Sequence, residues 1–120
     1  MTETFTIEAA DGAEPLGPGL LRELRDLLRD DEDLDLGVTL RDRPPAPGEQ
    51  GAIPVAVEVV AVLAPSVRGL AGVLAQWIAS RRVDLKVTTS GRRGRTVELS
   101  AGNAADAERL LSALAEGAEN

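Results

Sequence analysis

Cysteine, histidine and tyrosine are absent from this chain, Lys86 is its only lysine, and Phe5 and Trp77 are its only aromatics. Each absence removes a chemistry. Without cysteine there is no disulfide, no thiolate metal site and no thiol nucleophile. Without histidine the chain lacks the usual base near neutral pH and the commonest metal ligand. A Ser-His-Asp arrangement is impossible, and a Ser-Lys pair would have to use Lys86. An enzyme would have to work with carboxylates, arginines and hydroxyls alone, so the expectation is a non-catalytic protein with no cofactor and no metal. Two aromatics leave a core of Leu, Val, Ile and Ala, and little to stack on bases or sugars. The opening MTETFTIEAADG has neither a basic n-region nor an apolar h-region, so no signal peptide is read and the expected location is cytoplasmic.

The chain has 120 residues, 43% apolar and 28% charged. That is the size and composition of one globular domain, residues 1–120, with a tail fraying from about 116. Four stretches alternate with period two. Their apolar sets are Phe5, Ile7 and Ala9; Val38 and Leu40; Val83, Leu85 and Val87; and Val97 and Leu99. Such alternation describes strands with one buried and one wetted face. SGRRG joins the last two as a hairpin turn.

Two segments have helical spacing that is easily read. GPGLLRELRDLLRD puts Leu20, Leu21, Leu24, Leu27 and Leu28 on one stripe, with Pro18 near the first position. NAADAERLLSALAEG puts Leu110, Leu111 and Leu114 on another, with Asn103 as N-cap and Gly117 closing the helix. Between them lies Ile53 to Arg82. IPVAVEVVAVLA has the β-branched content of a buried strand. It leads, however, into PSVRGLAGVLAQWIASRR, whose Val67, Leu70, Leu74, Trp77 and Ile78 are helically spaced, and Pro54 and Pro65 both suit a helix's first turn. The reading is two consecutive helices broken at Ala64–Pro65. The expected fold is therefore α+β, a small four-stranded sheet with helices on one face, in the order β-α-β-α-α-β-β-α. The other face is left to water or a partner. Glu58, Arg68, Gln76 and two prolines interrupt the apolar run at 53–79, which stays short of the ~20 residues of a membrane span.

Several segments invite a functional reading. DDEDLDLG sets Asp31, Asp33 and Asp35 at the first, third and fifth places of a calcium loop, with Asp42 at the twelfth. Leu36 stands where glycine is needed and Asp42 where glutamate is, which favours a solvated turn. RRVDLKVTTSGRRGR holds six of the thirteen basic residues, while residues 1–36 hold eleven of the twenty acids. Arg92, Arg93 and Arg95 make this hairpin a candidate grip for a phosphate-bearing small molecule or a polyanion. The Gly91-to-Gly94 match to an RNA-binding loop joins strands rather than helices, and the net charge of −7 opposes nucleic acid. The hairpin could also meet the acidic end of a second copy. Gly69 and Gly72, with Trp77 on the same helix, make a candidate self-association surface. RPPAPGEQG offers Pro45, Pro47, Gly48, Glu49 and Gly51 as a stiff recognition loop. Its plainer role is a rigid strand-to-helix connection, with Glu49 facing the free amides of the helix that follows.

The order of these parts resembles the actinobacterial effector-associated constant components of the first type, over roughly residues 3–115 of this sequence. The parts that carry the resemblance are Pro-Gly-Glu-x-Gly at 47–51, WIASRR, VDLKVTTSGRRGRTVEL and DAERLLSAL. It implies a non-catalytic adaptor in a bacterial conflict or defence system. The implied partners are a variable effector, such as a caspase-like or trypsin-like peptidase, and a sensor or regulator such as an NTPase. It supplies no catalytic residues.

Overall fold

A computed structural model describes residues 3–31, 36–43, 47–48, 53–61, 64–89 and 95–118. The elements are β1 (Glu3–Ala9), α1 (Pro18–Arg29), β2 (Leu36–Arg43), β3 (Ile53–Ala61), α2 (Ala64–Arg81), β4 (Leu85–Thr89), β5 (Thr96–Leu99) and α3 (Ala107–Ala118). A short 3-10 turn at Ala104–Asp106 precedes α3. The strands form one sheet in the order β2-β3-β1-β4-β5, and every neighbouring pair is antiparallel.

The sheet has five strands where four were expected, because Ile53–Ala61 is a strand and not a helix. Five of its nine residues are Val or Ile, whose stiff side chains suit a pleated surface better than a helix. β3 pairs with β2 on one side and β1 on the other. Pro54 is accommodated because the β1 ladder ends at Ile7↔Val57, so Pro54 lies where β3 has a single neighbour. The register slips there: Arg41 faces Ala56 but Asp42 faces Pro54, leaving Val55 as a bulge. The helical pair expected to drive self-association is therefore one strand and one helix. The loop after β2 closes a β-hairpin, so no helix follows Glu49 to offer it free amides.

β1-α1-β2 and β3-α2-β4 are two interleaved crossovers, each spanning one strand of the other. This is the ferredoxin-like plan, extended past β4 by β5 and α3. The helices cover one face. Phe5, Ile7, Val57, Val59, Leu85, Val87 and Leu99 point into the core, where they meet Leu21, Leu24, Leu28, Leu70, Leu74, Ile78 and Leu111. α1 buries Leu21, Leu24 and Leu28, but Leu27 stands 45% exposed, outside the stripe expected for it. Asn103 does not cap a helix with its side chain. Instead its Nδ2 donates to the Glu98 carbonyl (2.8 Å) and its Oδ1 accepts from the Ser100 amide (2.8 Å). Gly117 lies within α3 rather than beyond it, and the helix runs on to Ala118.

Candidate interaction surface

The pleat that buries Phe5 and Ile7 turns Thr4, Thr6 and Glu8 to the opposite face of the sheet. Register aligns one row across all five strands: Thr39, Glu58, Thr6, Thr88 and Thr96. The Thr88 and Thr96 hydroxyls are 3.1 Å apart. A second row alternates in charge, with Glu8 facing Lys86 and Lys86 facing Glu98. Both aromatics are buried, Phe5 completely and Trp77 to 4% exposure, so this face has no ring on which a base could stack.

Lys86 anchors the charged row. Its Nζ lies 3.0 Å from Asp11 Oδ1 and 3.2 Å from Glu8 Oε1. The hydrogen bond to Asp11, then that to Glu8 and the Glu8 charge, raise the ammonium's pKa above its ordinary 10.5. A raised folded value means that the contribution to stability is intact below 10.5 and is lost as pH rises through the folded value. Thermal unfolding between about pH 8 and 12 should therefore show a steeper alkaline fall for the wild type than for Lys86→Met. Parallel curves would mean that this ion pair contributes nothing to stability.

The bulge shapes the β2–β3 side of the same face. Thr6, Glu8, Arg41, Asp42, Arg43, Val55, Ala56 and Thr88 line a shallow recess of about 520 Å³. Val55 is 39% exposed within it, one of two large apolar side chains so exposed among the described residues. An exposed valine beside arginines and threonine hydroxyls suits a protein surface that presents one apolar side chain within a polar rim. No feature of the sequence marked Val55 or Arg41, because the recess depends on a one-residue slip between two strands.

The described candidate residues of the two loops marked in the sequence do not line this recess. Pro47 and Gly48 form an exposed turn, and Gly48 at φ +91° lies in the left-handed region that favours glycine. Pro45, Glu49 and Gly51 fall outside the described residues, as do Arg92 and Arg93. Arg95 is exposed, and its backbone is held by Thr89 through the Thr89 amide to the Arg95 carbonyl (2.9 Å) and the Arg95 amide to Thr89 Oγ1 (3.2 Å). By register, Arg43 and Ile53 leave the sheet at the end of Ala9 and Leu85, whereas Thr89 and Arg95 leave it at the end of Glu3 and Ala61. The two candidate surfaces thus sit at opposite ends of the sheet and toward opposite edges.

On α2, Gly69 is half-buried and Gly72 exposed, and a Cβ at Gly72 would meet nothing within 4 Å. Trp77 faces inward, where its indole Nε1 donates to Glu23 Oε1 of α1 (3.2 Å), and Arg81 Nε donates to the same oxygen (2.6 Å). Of the suggested calcium loop, Asp33 and Asp35 lie outside the described residues, while Leu36 and Asp42 belong to β2. Among the described residues no group of three or more acids is placed to hold a metal ion, and no helix is long and apolar enough to cross a membrane.

The fold defines an α+β domain of ferredoxin-like plan with one face left open. The chain belongs to the Effector Associated Constant Component 1 family, whose model matches residues 4–118. That name ties it to effector proteins. No curated protein and no solved structure matches this chain.

Proposed function

We propose that this chain is a non-catalytic, cytoplasmic adaptor that couples a variable effector, such as a caspase-like or trypsin-like peptidase, to a regulatory NTPase in a bacterial conflict or defence system. The observation that carries the reading is the family match along residues 4–118. The side-chain inventory agrees with it, since no His, Cys or Tyr is available for catalysis. The mixed-charge open face, with Val55 and Arg41 beside a recess, is of a kind that protein partners contact.

The test is co-expression with the products of the genes on either side of its own, expected on this reading to include a peptidase or an NTPase, followed by size-exclusion chromatography and affinity measurement. A stoichiometric complex is expected. Val55→Asp with Arg41→Glu should weaken it by about tenfold or more, as loss of an interface hot spot does. Variants in the 44–52 loop and in the 90–94 hairpin are made separately, because those loops leave opposite ends of the sheet. Failure to bind either neighbour would end the adaptor reading. A complex indifferent to the open-face variant and sensitive to one loop would move the contact to that loop.

A further inference from the structure

Two charges on the open face have no counter-charge in their own chain. Lys86 holds Glu8 and Asp11. Among the described residues, however, neither Arg41 nor Glu58 makes a hydrogen bond or an ion pair. Glu58 is half-buried in β3 between Val57 and Val59, and glutamate is a residue type depleted in strands. The two belong to adjacent rows of the sheet. Arg41, Ala56, Glu8, Lys86 and Glu98 make the charged row, with Ala56 one step beyond the last β1–β3 pair, Ile7↔Val57. Thr39, Glu58, Thr6, Thr88 and Thr96 make the threonine row, the next along every strand. Ala56 is the one short side chain of the charged row, and it lines the recess of about 520 Å³ together with Arg41, Thr6 and Thr88. Each copy thus carries a lone carboxylate and, one row away on the same strand, a recess beside a lone guanidinium.

We propose that the open faces of two copies of this chain pack together about a twofold axis that crosses the strands between these rows. The charged row of each copy then lies on the threonine row of the other. Glu58 of each copy enters the recess at Ala56 of the other, within reach of Arg41 and Thr6 there. The charges select both the occupant and the offset. Charged row on charged row would set Glu8 on Glu8 and Lys86 on Lys86, and threonine row on threonine row would set Glu58 on Glu58. An axis along the strands would again set Glu8 on Glu8. The offset between the rows keeps all of these apart. The net charge of −7 opposes any contact between copies that does not pair charges in this way. Five strands and three open-face rows span about 24 Å by 20 Å, so the pair buries about 1,000 Å² in total, the lower bound for a specific interface. Each copy uses the same surface, so assembly closes at two. The dimer concerns the chain alone and does not rest on the adaptor reading. An effector that used this recess would have to part the two copies.

Charge exchange supplies the test, read by sedimentation of the full chain at low salt. Arg41→Glu sets acid against acid across the contact, and Glu58→Arg sets base against base. Each variant, checked for native circular dichroism, should dimerise at least about tenfold more weakly than the wild type. An equimolar mixture of the two should restore the dimer, because each then meets its complement. Both changes in one chain should restore it as well. A wild type that stays monomeric at about 100 μM would overturn the proposal, since such a Kd is already weak for a specific pair. A dimer that survives unweakened in either single variant would also overturn it, by placing the contact on another surface. So would a mixture that fails to restore the dimer.

Discussion

Phe5→Ala is expected to lower the free energy of unfolding by about 3–5 kcal/mol, the usual cost of truncating a buried aromatic. The total for a domain of this size is about 5–15 kcal/mol, so the variant should be barely folded at the lower end. Phe5 is fully buried, and its cross-strand neighbours are Val59 and Thr89, in the two strands that flank β1. With so few aromatics in the core, no other large ring lies on the strands to fill the space, and the cavity term adds to the lost transfer energy. The next residue tests the opposite face. Thr6→Ala removes an open-face hydroxyl and a methyl group and should change stability by no more than about 1 kcal/mol. Urea unfolding followed by the fluorescence of Trp77 measures both. Equal losses would show that β1 is covered on both faces, and the open-face assignment would fail.

Trp77→Ala should cost about as much, roughly 3–5 kcal/mol, with far-UV circular dichroism as the readout because the fluorophore is lost. Its two contributions can be separated. The ring packs in the core, and the indole N–H donates to Glu23 Oε1 in a part-buried contact. Glu23→Ala strands that donor and should cost about 1–3 kcal/mol. In the Trp77→Phe background no donor is left to strand. There, Glu23→Ala should cost about 0–1 kcal/mol, the worth of its exposed bridge to Arg81. If Glu23→Ala costs the same in both backgrounds, the indole hydrogen bond does not tie α1 to α2.

Most of the fold could be read where a strand or helix shows two different faces to its surroundings. The alternating runs around Phe5, Val38, Leu85 and Val97 became β1, β2, β4 and β5, and the leucine stripes became α1 and α3. β3 did not read the same way because Ala56 and Val60 stand on its open-face side, across from Arg41 and Thr4, so its sequence lacks the polar alternation that β1 shows. Its continuous valines fit a buried helix as well as a strand, and Pro54 and Pro65 made a helix start plausible. Glu58 was the remaining clue, since its charge lies in the threonine row of the open face. The candidate surface was harder to read. Proline and arginine content pointed to the two loops, which structure separates to opposite ends. The recess around Val55 comes from the slip between Arg41 and Asp42, and a register slip leaves no mark in a sequence until the strands are paired.

The interleaved crossovers also set the order of events during synthesis. β1 is the first strand to leave the ribosome, yet it is hydrogen-bonded between β3 and β4, whose Val59 and Thr89 face Phe5. Those residues are made roughly fifty and eighty positions later, which at ribosomal speeds of about 5–20 residues per second is a wait of roughly 4–17 s for the second neighbour. Through that interval Phe5 and Ile7 have no completed core to enter. The nascent domain is therefore most vulnerable to aggregation and to proteolysis at its own beginning, until the strand at Leu85–Thr89 has emerged to close over it.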